Sequence, residues 1–110
     1  MRNKYNNKKT VINGITFHSQ KEGLRYIELK QMEKNKKILN LILQPKFKIV
    51  VNGMKVCSYI ADFSYIKRNT RGKEDYPKTI IEDVKGFKTS IYRIKKKLMK
   101  AALGIEIQEV

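Results

Sequence analysis

The chain has 110 residues, enough for one hydrophobic core and too few for two full domains. Its 25 Lys and Arg against 10 Asp and Glu give a net charge of +15, the electrostatic footprint of a phosphate-backbone binder. A hydrophobic content of 41% argues against a basic disordered tail, and the single Cys57 excludes an internal disulfide. With one histidine, His18, there is no Cys/His zinc set, so Cys57 and His18 both read as packing residues.

The start of the chain, Met1-Arg2-Asn3-Lys4, is basic with no apolar run behind it, and residues 1–10 read as a polar arm. No segment approaches the length of a membrane helix, so a cytoplasmic protein with no membrane partner is expected. Thr10-Val11-Ile12 and Ile15-Thr16-Phe17 flank Asn13-Gly14, a strong hairpin signal. Ser19-Gln20-Lys21-Glu22 has the form of a capping box and opens a helix running to about Lys34. Leu24, Tyr26, Ile27, Leu29 and Met32 are its expected apolar stripe.

Leu41-Ile42-Leu43 ends at Gln44-Pro45, after which Phe47 to Val51 reads as a strand. Asn52-Gly53 is a second hairpin turn, returning as one strand from about Lys55 to Ile66. Residues 68–77 combine turn formers and charge and read as an exposed loop. Lys78 to Lys85 is the next strand. Thr89 or Ser90 caps a second helix from about Ile91 to Leu103, stopped by Gly104, and Ile105 to Val110 forms a last strand. The order is hairpin, helix, three strands, helix, strand, which predicts an α/β fold with a mixed sheet.

In that second helix Arg93, Lys96, Lys97 and Lys100 fall at i, i+3, i+4 and i+7, one basic face suited to a DNA backbone. Ile91, Ile94, Leu98, Ala101 and Ala102 are expected to face the core. A solvated face, with lysines favoured by the helix dipole, is the plainer reading. Between residues 85 and 100 there are seven basic residues and no acid, which favours phosphate contact. The scattered Tyr5, Tyr65 and Tyr92 do not argue for base stacking.

The strongest chemical signal is Ile80-Ile81-Glu82-Asp83-Val84-Lys85-Gly86, about twenty residues after an isolated Asp62 in Tyr59-Ile60-Ala61-Asp62-Phe63. Strands disfavour Asp, and buried charges need partners; a hard, oxygen-ligated ion such as Mg2+ or Mn2+ would supply one. Alternation puts Asp83 and Lys85 on one face of the strand and Glu82 and Val84 on the other. A same-face ion pair would explain Asp83 and Lys85 equally simply, Asp62 could cap a turn or pair with an arginine, and the capping box alone accounts for Glu22. Taken together, though, four of only ten acids, Glu22, Asp62, Glu82 and Asp83, fall where helix and sheet could converge.

Glu in the first helix, Asp in a core strand and acid-x-Lys in the next strand resemble the signature of the PD-(D/E)XK nuclease superfamily. The resemblance covers about residues 19–110, with residues 1–18 an added arm and hairpin on a single domain spanning 1–110. Gly14-Ile15-Thr16-Phe17-His18-Ser19, Leu43-Gln44-Pro45-Lys46-Phe47, Tyr59-Ile60-Ala61-Asp62-Phe63 and Glu82-Asp83-Val84-Lys85-Gly86-Phe87 look more narrowly like a small family of phage-encoded endonuclease-like proteins. Ala61 stands where the superfamily name has Pro, and Glu82 beside Asp83 leaves two candidates for the acid.

The resemblance implies a restriction-endonuclease-like core and a metal-dependent endonuclease hydrolysing DNA. Asp62 and Asp83 would hold Mg2+ or Mn2+, Glu22 would be an accessory ligand, and Lys85 would serve the attacking water or the transition state. Holliday-junction resolvases belong to the superfamily, so branched DNA, a homodimer, and work in phage recombination or replication in the host cytoplasm are the expectation. The rival expectation is a basic DNA-binding protein that keeps the fold without catalysis.

Overall fold

The computed structural model describes residues 9–68, 77–84 and 88–110. The protein is α/β, with two helices and a mixed four-stranded main sheet among the described residues. β1 (Thr10–Ile12) and β2 (Ile15–Phe17) form the first hairpin, turned by Asn13 and Gly14, both at positive φ. α1 (Gln20–Lys34) follows, capped by Ser19, whose side chain accepts from the Glu22 N–H. Gly23 of α1 is buried against the hairpin, where a Cβ would lie 2.8 Å from Ile12 Cδ1.

The next four strands form one ribbon. β3 (Ile38–Leu43) pairs antiparallel with β6 (Phe63–Arg68), and β4 (Lys46–Val51) with β5 (Met54–Ile60). The register runs unbroken from Leu43↔Phe63 to Lys46↔Ile60. Across the gap, the Gln44 N–H donates to Asp62 O at 2.9 Å and the Ala61 N–H to Pro45 O at 3.1 Å. The ribbon therefore bends at Gln44-Pro45 and Ala61-Asp62 without losing its pairing. Gln44 takes a left-handed φ of 52° there.

β7 (Pro77–Asp83) pairs antiparallel with β6, and β8 (Ile107–Glu109) lies parallel to β7, reached through α2 (Ser90–Leu103). The main sheet has the order β3-β6-β7-β8. One core, beneath α1, joins Phe17, Tyr26, Leu29, Ile38, Phe63, Tyr65 and Ile80. The other, beneath α2, joins Ile49, Tyr59, Ala61, Ile81, Tyr92, Met99 and Ile107.

Several expectations need correction. The expected strand at 55–66 is two strands, split at Ala61-Asp62, and residues 38–43 are a full strand of the main sheet, whereas 47–51 pairs only in the β4–β5 hairpin. Both helix stripes hold only in part, with Met32 of α1 and Leu98 and Ala102 of α2 packed against the cores as expected. Tyr26 and Leu29 bury in α1 while Leu24 is 61% exposed; Tyr92 and Met99 bury in α2 while Ile91 and Ile94 are 67% and 59% exposed. A helix on a sheet touches it along a narrow line, and the long tyrosine rings win that line from the shorter isoleucines. His18 is exposed rather than packed, whereas Cys57 does pack against the second core.

Glu82 ties α1 to the sheet. Arg25 Nε donates to its Oε1 at 2.9 Å, Arg25 Nη2 donates to its Oε2 at 2.6 Å, and the Tyr65 hydroxyl donates to Oε2 as well. The carboxylate is 1% exposed, so this bidentate contact replaces its lost hydration. Glu82→Ala should cost about 3–5 kcal/mol in urea unfolding, because it leaves the guanidinium with the exposed Glu28 and deprives the buried Tyr65 hydroxyl of its acceptor. Arg25→Met with Glu82→Leu should recover part of that loss, and equal losses in the two variants would show that packing and not the ion pair is at stake.

Candidate active site

Two of the expected acids, Glu22 and Asp62, meet at one end of the main sheet, and a third, Asp83, ends the strand across from Asp62. Glu22 occupies the third position of α1 and takes the backbone N–H of His18 on Oε2 at 3.0 Å, so the capping box closes one residue early. Asp62 sits in the bend of the ribbon. Its N–H donates to Glu82 O at 3.1 Å, and its Oδ2 accepts the Val84 N–H at 2.7 Å. The Asp62 side chain thus closes the β6–β7 ladder just beyond Asp83.

Glu22 is buried beside Asp62, and its carboxyl is pushed up to about 8 from an ordinary 4.5. Desolvation is the main cause, followed by a hydrogen bond and charge repulsion from Asp62. A buried Glu22 carboxyl that keeps its proton at neutral pH, beside a second acid, would accept a divalent cation in the proton's place. A cleft of about 240 Å³ opens onto this pair, walled by Ile15 and Phe17 of β2 and by Leu43 and Gln44 of the bend.

Asp83 is 1% exposed at the end of β7 and one step beyond the Phe63↔Glu82 pair, which sets it across from Asp62. Alternation behaves as expected for the described residues. Glu82 turns to Arg25 and Val84 packs on the α1 core, whereas Ile81 joins the α2 core, the face that Asp83 shares by alternation. Glu82 is thereby committed to Arg25. Lys85 lies outside the described residues, as do most of the 68–77 loop and of the basic arm. Among the described residues no three His, Cys, Asp or Glu side chains form a ready-made metal cage.

Arg93, Lys97 and Lys100 are exposed on α2 as the basic face requires, and Lys96 is half-buried. Beside them stand three residues that sequence reasoning did not single out. Glu109 of β8 is in register with Asp83. Its Oε2 accepts from the Tyr92 hydroxyl at 2.8 Å, and its Oε1 lies 3.0 Å from Lys88 Nζ and 3.3 Å from Lys96 Nζ. These donors pull the Glu109 carboxyl down to about 2, Tyr92 first and Lys88 second. Burial chiefly raises the Tyr92 hydroxyl, with Glu109 next and smaller contributions from the charges of Asp83 and Asp62. The i, i+7 spacing of Tyr92 and Met99 was the available signal for this face.

A family model described as "Protein of unknown function (DUF1064)" matches residues 2–107. The chain belongs to the DUF1064 family. No curated protein and no solved structure matches it. The acids Glu22, Asp62 and Asp83 of this DUF1064 chain all lie inside the matched span, as do Lys88, Tyr92 and Lys96; Glu109 lies two residues beyond it. Among the described residues no helix is long and apolar enough to cross a membrane.

The raised Glu22 carboxyl has a definite pH signature. Between about 4.5 and about 8 the unfolded chain has released this proton while the folded protein keeps it. Stability therefore falls as pH rises through that window, by at most about 1.4 kcal/mol per pH unit. Glu22→Gln should remove this slope and gain on the wild type from pH 5 to pH 8 in urea unfolding. Parallel pH profiles for the two proteins would mean that Glu22 ionises normally.

Proposed function

We propose that this DUF1064 protein is a divalent-metal-dependent endonuclease of the PD-(D/E)XK type acting on DNA. One observation carries the reading: the buried Glu22 meets Asp62 at the ribbon bend, with Asp83 at the strand end in register across from Asp62, in a chain of net charge +15. Carboxyls crowded enough to retain a proton are costly to a fold, and a cation among them offsets that cost. The sequence of main-sheet elements supports the same reading. α1, β3, β6, β7, α2 and β8 run helix, three strands, helix, strand, with β8 parallel to β7, the order that a restriction-endonuclease-like core requires.

The donor set is all carboxylate oxygen, which suits Mg2+ or Mn2+. Asp62 and Asp83 would hold the ion, with Glu22 accessory to them; when bound, it would supply an activated water and neutralise charge on the cleaved phosphate. The residues around it have separate duties. The Val84 N–H fixes the Asp62 carboxylate, and the Arg25–Glu82 pair keeps α1, and with it Glu22, against the sheet. The basic side of α2 would follow the phosphate backbone, contacts that position DNA without reading its bases. Branched DNA is the substrate this favours.

Supercoiled plasmid with Mg2+ tests the chemistry. The wild-type protein should nick it, and Asp62→Asn and Asp83→Asn should each abolish nicking while keeping a native circular dichroism spectrum. Both remove a charge from the crowded site, so neither should lower stability in the absence of metal. Wild-type rates in either variant would place the active centre elsewhere.

The functional form on DNA is a homodimer in this reading, because a four-way junction is two-fold symmetric and needs two matched cuts. Light scattering of Asp83→Asn on a four-way junction should give two chains per junction. A single chain per junction would exclude the resolvase reading and leave the nuclease reading standing.

A further inference from the structure

The Glu109 cluster lies on the wall of a second concavity, an open groove of about 460 Å³ along α2 and β8 that also includes Lys88, Arg93, Lys96 and Lys97. Glu109 is unusual among its acids. One carboxylate collects two ammonium groups and a hydroxyl on its two oxygens, at 2.8–3.3 Å. That donor set, two lysines and a tyrosine converging on two oxygens, is the set that holds the two non-bridging oxygens of a phosphodiester. Lys88 and Lys96 are both partly exposed, so neither is locked into the fold by burial. Glu109 stands beside Asp83 in the sheet, which places the groove next to the candidate active site.

We propose that Glu109 is the internal occupant of a phosphate subsite: its carboxylate holds Lys88, Lys96 and the Tyr92 hydroxyl in place for a DNA backbone phosphate, which displaces it on binding. The proposal rests on the nucleic-acid reading above and goes beyond it by assigning the groove a ligand and Glu109 a role. The carboxylate does two things at once. It keeps the lysines from collapsing away from the groove in the free protein, and it competes with DNA, so that only substrate able to expel it gains the full contact. Glu106 is the natural comparison, since it carries the same charge but among the described residues meets Lys100 at a longer 3.9 Å.

The test is anisotropy of a fluorescein-labelled DNA duplex titrated with protein at several salt concentrations in EDTA, so that cleavage plays no part. Glu109→Gln, which can still accept from Tyr92, should bind about three- to ten-fold tighter near physiological salt, with a slope of log K against log salt steeper by about one. Glu106→Gln should change affinity less than two-fold, and Lys88→Ala with Lys96→Ala should erase the gain made by Glu109→Gln. Equal gains from Glu106→Gln and Glu109→Gln would reduce the effect to net charge and overturn the subsite. So would unchanged affinity in Glu109→Gln when the wild type binds DNA. Failure of the wild-type protein to bind at low salt would sink the nucleic-acid reading and the subsite with it.

Discussion

A single antiparallel ribbon serves two cores, and most of the architecture follows from how it manages this. Tyr59, Ala61, Phe63 and Tyr65 alternate along one surface of the consecutive strands β5 and β6, yet Tyr59 and Ala61 pack beneath α2 while Phe63 and Tyr65 pack beneath α1. The same ribbon surface must therefore pass from one side of the main sheet to the other. It does so at the bend, where the hydrogen bonds between Gln44 and Asp62 and between Ala61 and Pro45 preserve the ladder. Proline at 45 has no N–H to lose there, which makes it an inexpensive residue for the bend. Asp62 is the price of this geometry and its product: a carboxylate at a strand interruption, free of a regular side-chain face and within reach of the helix opposite.

The adjacent pair Glu82 and Asp83 shows how a one-residue difference separates structure from chemistry. Both are buried to the same extent. Glu82 faces α1 and is neutralised by a guanidinium; Asp83 lies on the opposite face, near Tyr92 and Glu109. A strand one position out of register would exchange these roles and leave Arg25 facing the wrong residue. The Arg25 contact thus specifies register as well as adding stability.

Local chemistry was legible in the sequence and tertiary contact was less so. Asn13-Gly14 and Asn52-Gly53 form their turns because both positions need positive φ, and Ser19, Thr89 and Gly104 terminate their helices by capping that depends on neighbours alone. The strand Ile38–Leu43 was obscured by a register shift between Leu39 and Ile42, with Asn40 at φ 54°, which destroys the period of two. Which arc of a helix would be covered depended on the sheet beneath it, so Ile91 and Ile94 were misplaced. Glu22, Asp62 and Asp83 could be singled out as candidates because acids in apolar strands and at a cap are conspicuous. Glu109 was not, because its partners Lys88, Tyr92 and Lys96 come together only when β8 docks beside β7.

The misplaced isoleucines have a consequence for how the molecule behaves at the bench. Ile91 and Ile94 stand in solvent on the same helix that carries Arg93, Lys96, Lys97 and Lys100. Copies of a chain with net charge +15 repel one another, and this repulsion keeps those apolar side chains apart. It acts over a Debye length of about 10 Å at 0.1 M salt and only about 3 Å at 1 M. Solubility of the free protein is therefore a property of its counterions: concentrated salt, or a polyanion that neutralises the lysines, removes the barrier to contact between exposed helix faces.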